Sequence, residues 1–548
     1  MYRKRILAGF ALTFAGAMPC SAQGNPDLSS WRQDLRVIAD RVPSIHPNAF
    51  YRLPRTRWDS AITAIDAKLP RMTRNQAIVA FSQLIALIND GHTTINPMFD
   101  RAMKVHYYPA ELHLFDDGLF VKSAVPKYSS LVGAKVIRIG KVSADSALAA
   151  VATTFGHEND WWAHAWAPSR TTLVETMDGL GLVDDPNRMP LTVERNGKRE
   201  VVILEPTGPL VPSGHNPMAA IDRKGWVDMR TGVAPLWLKN PGLPYWSEYV
   251  ASDSTLYVSY RAVVNMDEPS NPAFWRSVFA QADSLPIARM VIDVRENVGG
   301  NSFYNKQVIR GIVARPKLDR PDRLFVITGD RTFSAAMNLV QDLEQWTNAT
   351  FVGEPTGSPT VFFGDHDMVV LPVSGLTVSV STLPWYPADP RDKRPFVAPR
   401  LYTPITASEY RTNVDPAMRA ILSRGRQPSV SQKIETAILA GDTTGALRIL
   451  RDATNDKINR FRAPEADVNT LGYRLLPTNR AAAVKVFRLN TLTFPRSANA
   501  WDSYAESLLE NGQRDAAIAA YRKALEIDPG FSSSAEALRR LGVPVRAG

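Results

Sequence analysis

A serine, a histidine and a pair of glycines occupy positions from which a chain could perform nucleophilic chemistry. Ser334 lies in Thr328-Gly329-Asp330-Arg331-Thr332-Phe333-Ser334-Ala335-Ala336, between an apolar run and a helical pattern. At the head of a helix, unpaired N–H groups and the positive end of the helix dipole stabilise negative charge. Ala335 and Ala336 leave room for a bound group. A nucleophilic serine needs a base. Of the eight histidines, His92 in Asp90-Gly91-His92-Thr93 is the best placed, and His366 in Gly364-Asp365-His366 is a second candidate. Gly299 and Gly300 directly follow a strand-like run, where the lack of side chains lets backbone N–H groups approach an oxyanion. Each feature has a plainer use. Ser334 alone reads first as a helix N-cap, His92 as a structural histidine, and the glycines as a tight turn.

The elements that must position these residues follow from periodicity. Residues 26–104 read as helical. Thr73 and Gln76 fit a capping box, and Ile78, Val79, Phe81, Leu84, Ile85, Leu87 and Ile88 form a helical apolar stripe with Gly91 as its stop signal. From 105 to 210 the pattern shifts to short strands punctuated by Gly118, Gly133, Gly140 and Gly197, with a helix around Trp161, Trp162 and Trp166. Pro206 to Pro217 reads as a linker. Within 211–425, Met290–Val294, Leu324–Ile327 and Thr350–Val352 are strands separated by helices over Ser302–Val313 and Phe333–Trp346, which implies right-handed crossovers and a parallel sheet. Catalytic groups in such sheets lie beyond the carboxyl ends of the strands, where both candidate loops fall. Over 431–548, Ala482 and Ala516, Ala483 and Ala517, Phe487 and Tyr521, and Pro495 and Pro529 recur at the 34-residue tetratricopeptide period. Residues 431–452, with Ile434, Ile438, Ala446 and Leu450, have the spacing to supply a further pair of helices.

Composition narrows the chemistry. The chain of 548 residues is too long for one core, and its 45% hydrophobic and 22% charged content is that of a globular protein. Residues 1–22 read as a signal peptide, with Arg3, Lys4 and Arg5 before the apolar Ile6–Met18 and small residues at Cys20-Ser21-Ala22. That predicts a periplasmic or secreted protein with no stable membrane insertion after cleavage. Cys20 is the sole cysteine, so the mature chain would have neither disulfide nor thiol chemistry. The formal charge of +10 includes three cations in the signal segment, and the remaining basic residues are scattered, which speaks against a nucleic-acid footprint. No HExxH, phosphate loop or ligand spacing calls for a metal or cofactor.

Four segments in order carry a resemblance. Asp90-Gly91-His92-Thr93, Ile292–Gly300, Thr332-Phe333-Ser334-Ala335-Ala336 and Val352-Gly353-Glu354-Pro355-Thr356-Gly357 are similar to motifs of the tail-specific (C-terminal-processing) and tricorn-type serine peptidases, over roughly residues 30–405. The resemblance implies a crotonase/Clp-protease-like parallel-sheet core, so the whole chain is expected to be α/β, with the N-terminal helical segment, the interposed β-rich, PDZ-like domain and the all-α repeat module that the patterns indicate. It implies Ser334 as nucleophile and N–H groups of Gly299 or Gly300 and of Ala335 as oxyanion donors. The lysine of the tail-specific branch is missing from Thr356-Gly357-Ser358-Pro359-Thr360, so His92 matches the base of the tricorn-like branch. That branch also uses a late acid, for which Asp392 is the choice, with Asp389 and Glu354 behind it. The chain departs from the family at Val298 and Arg400. The expected substrates are peptides or unfolded proteins, with a protein partner for the repeats. A catalytically degenerate peptide-binding scaffold and a non-peptide esterase are the competing functions.

Overall fold

The structure is a computed structural model that describes residues 28–97, 100, 102–209, 224–386, 389, 391–423, 430–455 and 464–544. The signal segment and most of the expected linker lie outside the described residues. The N-terminal segment forms α1 (Arg32–Ile45), α2 (Arg55–Lys68) and α3 (Arg74–Ala86). Leu35, Ile38 and Val42 of α1 and Ala77, Ile78, Phe81, Leu84 and Ile85 of α3 meet in one core. The Thr73–Gln76 capping box forms in both directions. Gly91 does not stop α3. Asn89 takes the left-handed conformation past the helix end (φ 60°), and Gly91 serves a close approach, because a Cβ there would lie 2.8 Å from Cζ of Phe333.

Strand-forming residues over 105–204 then build an antiparallel sheet from β1 (Ala110–Phe115), β2 (Gly118–Ala124), β3 (Lys135–Ile139), β4 (Val142–Ser143), β5 (Met189–Arg195) and β6 (Lys198–Leu204). Its order is β1-β2-β3-β5-β6, with β4 on β3. The helices α4 (Ala144–Ala152), α5 (Asp160–Arg170) and α6 (Val174–Gly179) interrupt it. The sheet reaches past residue 210, since β7 (Val227–Asp228) pairs with β2.

The second sheet holds the loops of interest. Its strands β8 (Tyr245–Val250), β9 (Thr255–Tyr260), β10 (Arg289–Asp293), β11 (Leu324–Thr328) and β12 (Thr350–Gly353) alternate from β9 onward with α7 (Asn271–Ser284), α8 (Asn305–Val313) and α9 (Ala335–Trp346). The hairpin β13 (Phe362–Val370) and β14 (Thr377–Trp385) follows, then β15 (Leu401–Tyr402), α10 (Ala407–Arg411) and α11 (Pro416–Leu422). The order β15-β12-β11-β10-β9-β8 is parallel except for β8. Strand alternation divides the burial. Leu256, Val258, Met290, Ile292, Leu324 and Val326 pack on α7, α8 and α9, whereas Tyr257, Val291, Phe325, Ile327 and Val352 face α11. Each fully buried aliphatic side chain contributes about 1.5–3 kcal/mol.

The C-terminal helices are α12 (Val430–Leu439), α13 (Thr443–Asn455), α14 (Pro464–Leu475), α15 (Arg480–Thr493), α16 (Ala498–Glu510), α17 (Arg514–Ile527) and α18 (Ser532–Arg540). Pro495 and Pro529 fall just beyond α15 and α17, as helix ends require. Gly472 admits the Phe487 ring, which a Cβ there would meet at 2.5 Å. Ile434, Ile438, Ala446 and Leu450 join the α14–α15 cluster, so α12 and α13 supply the extra pair. The two hydrophobic clusters of these helices draw on no described residue before Val430.

Candidate active site

Two loops at the carboxyl ends of β10 and β11 are tied together by one side chain. Asn297 donates from Nδ2 to the Tyr260 carbonyl (2.7 Å) and accepts the Gly299 N–H on Oδ1 (2.9 Å). Its own carbonyl takes the Phe333 N–H (3.0 Å). Thr332 Oγ1 adds a bond to the Val294 carbonyl (2.9 Å). Gly299, at φ 109°, lies so close to the second loop that a Cβ there would sit 2.6 Å from Cβ of Ser334. No other residue type fits.

Ser334 stands at the N-cap of α9, but its side chain caps nothing, and its backbone has φ 55° and ψ −125°. Such a conformation costs a non-glycine residue about 1–3 kcal/mol. The plain N-cap reading therefore fails, because an N-cap has extended backbone and a capping oxygen. The strained turn is held from outside: the Ser334 N–H donates to Oγ of the fully buried Ser358 (3.2 Å). Among the described residues, the N–H groups of Ala335 and Gly300 have no partner. The Gly299 N–H is committed to Asn297, which leaves Gly300 as the free donor of the pair.

His92 is packed beside this turn, its ring stacked on Phe333 (centroids 4.5 Å) and near Phe362 (6.0 Å). Among the described residues, no hydrogen bond joins His92 to Ser334, and the buried Nδ1 has no partner. Burial pushes the imidazole below its ordinary pKa, helped by His366 and opposed by Asp90, Asp365 and the Phe363 carbonyl. Its Nδ1 lies 4.0 Å from Oδ1 of Asp90. Asp90 is the hub here. Oδ1 accepts the His92 N–H (3.0 Å), and Oδ2 accepts from Thr93 and Ser381 hydroxyls, each at 2.5 Å. His46 Nε2 is 3.3 Å from Oδ2. His46 Nδ1 accepts the Asn48 N–H (3.1 Å), which places the ring proton of the neutral imidazole on Nε2, facing Asp90. Burial would raise Asp90, but these hydrogen bonds and the His92 charge hold it below the usual carboxylate value.

The acid expected to orient His92 has other partners in the structure. Asp392 does not reach His92; it is clamped by Arg394 (2.7 Å) and by Thr360 Oγ1 (3.2 Å). Asp389 is exposed and paired with Arg391. Glu354 sits near the His164–Asp330 pair (2.8 Å), where burial and Asp330 push it up to about 7. Asp90 takes the place beside His92, two residues away, within a motif already singled out for its histidine. Asn297 and Ser358 are organisers of the turn that lie outside the expected set of site residues. The Asn-x-Gly spacing of 297–299 could have signalled the first.

On the far side of the His92 loop, Glu158 accepts the Gly91 N–H (3.1 Å) and buries Oε1 without a partner among the described residues. Burial and the Asp90 charge raise its carboxyl to about 8. The native state thus keeps a proton that the unfolded chain releases near the ordinary value of 4.5. Stability from this group is full below that value and is lost as pH rises towards 8. Glu158→Gln is expected to stabilise the fold by about 1–3 kcal/mol at pH 8 and little at pH 4. Urea midpoints at the two pH values check this, and no gain at pH 8 would contradict it.

Among the described residues no group of three or more His, Cys, Asp or Glu side chains is arranged to hold a metal ion, and no helix is long and apolar enough to cross a membrane. The tetratricopeptide repeat family matches residues 498–543. No curated protein matches the chain by sequence. Among solved structures the chain is similar to mature CPAF complexed with lactacystin (14% identity, TM-score 0.49, 70% of this chain and 95% of that one). It is also similar to the photosystem II D1 C-terminal processing protease (14%, TM-score 0.35, 72% and 98%) and to a putative S41 protease from Bacteroides fragilis (12%, TM-score 0.28, 59% and 84%). At such identities and scores, the residues of the site itself must carry any functional reading.

Proposed function

We propose that the chain is an exported serine peptidase that cleaves peptides or unfolded proteins through an acyl-enzyme, on a crotonase-like core with a PDZ-like insert. The observation that carries this reading is the strained Ser334 turn, uncapped by its own side chain and seated against Gly299 at the head of α9. Ser334 Oγ attacks the acyl carbon, His92 takes its proton, and the N–H groups of Gly300 and Ala335 hold the oxyanion. His92 returns the proton to the leaving amine, and water then releases the acyl group. Asp90 holds the His92 backbone N–H and, 4.0 Å from Nδ1, balances the charge that the imidazole gains. Because His92 and Ser334 are not bonded to each other here, acyl-donor binding has to bring the ring within reach of the hydroxyl.

A fluorophosphonate probe tests this directly. Covalent labelling of Ser334, located by peptide mass mapping, is the expected result. A folded chain that resists labelling would instead be a peptide-binding scaffold. The pH profile follows from His92. Its neutral form is the base, and its pKa lies below 6.5. Activity is expected to persist below pH 6.5 and to fall only as acid protonates the ring. An acid limb of kcat/KM above pH 6.5 would rule out His92 in its packed state as the base.

A further inference from the structure

The hairpin β13–β14 has one covered edge and one bare edge. Along β14, the Thr377 N–H goes to Asp100 (2.6 Å), Ser379 exchanges both backbone bonds with Thr94 (3.0 Å each), and the Ser381 N–H goes to Thr93 Oγ1 (3.0 Å). The backbone groups of these three residues therefore point away from β13. Directly opposed residues in an antiparallel ladder share one orientation. Val370, Met368 and His366 are their partners, so their N–H and C=O groups point outward on the other side. Among the described residues nothing bonds them there.

The bare edge runs out from the candidate site. β13 opens at Phe362, whose ring lies 6.0 Å from that of His92, and Asp365 and His366 act electrostatically on His92. Residues 365–368 and Val370 are exposed, whereas Phe362 and Val369 are buried. Met368 (59%) and Val370 (63%) stand on one face, and Asp367 stands exposed on the other. A second copy paired antiparallel edge to edge about Asp367 would set the Asp367 carboxylate of each chain directly against that of the other, which is destabilising.

We infer that the outer edge of β13 is a strand-addition site for an extended peptide with alternating apolar and basic side chains, and that it leads this peptide towards Ser334. The peptide pairs its backbone with His366, Met368 and Val370, lays apolar side chains beside Met368 and Val370, and sets basic ones beside Asp367. Cleavage of the bound peptide rests on the peptidase reading; its binding does not.

The test uses Ser334→Ala full-length protein and a fluorescein-labelled peptide of alternating valine and lysine, read by anisotropy. We expect binding, weakened about tenfold when glutamate replaces lysine. Met368→Pro removes only an outward N–H, so it should keep the melting temperature and lose binding about tenfold or more. Asp367→Lys, at an exposed position, should reverse the preference towards the glutamate peptide, and it decides the matter if the proline variant fails to fold. Absence of binding, binding indifferent to Asp367→Lys, or a dimer that Met368→Pro dissolves would each overturn the inference. Probe labelling of the unmutated enzyme separates the two readings. A labelled Ser334 with an inert edge sinks only this inference, and an unlabelled Ser334 with edge-dependent binding sinks only the peptidase.

Discussion

Ser334→Ala is expected to abolish probe labelling and to lower peptide hydrolysis by about 10⁴-fold or more, leaving only what the oxyanion donors and binding supply. The fold should hardly notice. The Ser334 side chain makes no capping bond, so none is lost, and alanine inherits the same strained backbone. A change of no more than about 0.5 kcal/mol is expected, as at a position that contributes no packing. Ser334→Gly sharpens the test, because glycine tolerates φ 55°. It should be as inactive as alanine yet more stable by about 1 kcal/mol, the strain being relieved. Paired measurements of labelling and urea midpoint check both. An active Ser334→Ala enzyme would reject the nucleophile, and a Ser334→Gly variant less stable than alanine would show that the turn is not strained.

Asp90→Asn should have the next largest effect and should damage both activity and stability. Oδ2 of Asp90 faces hydroxyl donors from Thr93 and Ser381 together with His46, while Oδ1 faces the His92 N–H. An amide has one acceptor oxygen, so one side must set NH₂ against existing donors. A loss of about 10²–10⁴ in kcat/KM is expected, as when a buried carboxylate that orients a catalytic histidine is made neutral. A destabilisation of about 2–5 kcal/mol should accompany it. The pKa of Asp90 is held low in the fold, so its contribution is present above the ordinary carboxylate value and lost as acid protonates it. The gap between wild type and Asp90→Asn should therefore narrow as the pH falls below the ordinary carboxylate value of 3.8. Asp392→Asn is the control: its carboxylate belongs to Arg394 and Thr360, and activity should be unchanged. Reversed outcomes for the two variants would restore Asp392 as the orienting acid.

The sequence disclosed what is periodic and local. The Thr73 capping box and the strand-helix alternation through β10, β11 and β12 depend on neighbours a few residues apart, the spacing of Ala483, Phe487 and Pro495 against Ala517, Tyr521 and Pro529 is a regular 34-residue repeat, and the structure has each of them. Ser334, the glycine pair and His92 were visible as residue types in loops, and they do lie close together. What stayed hidden was long-range. Asp90 is joined to Ser381 across 291 positions, and Ser334 to Ser358 through a backbone N–H that leaves no pattern in the chain. The expectation for Asp392 rests on position along the chain, which says nothing of Arg394, two residues on, that claims it. Gly91 looked like a helix stop because glycine often is one, whereas only the packed Phe333 ring reveals why no side chain fits.

One asparagine sets a limit on how this chain can be recombined. Asn159 begins α5 by accepting the Trp161 and Trp162 N–H groups on Oδ1. Its Nδ2 lies within 3.3 Å of the carbonyls of Thr356, Gly357 and Pro395, around the turn that carries Ser358. Trp162, one helical turn on, stacks on Phe333 at 3.8 Å. The stretch from 105 to 210 has the outline of a cassette to be excised or exchanged between homologues, yet it carries part of the template on which the Ser334 turn is cast. A chimera spliced at 105 and 210 would express a core whose nucleophile loop had lost its mould, whereas a graft that kept residues 155–170 with their host would carry the geometry along.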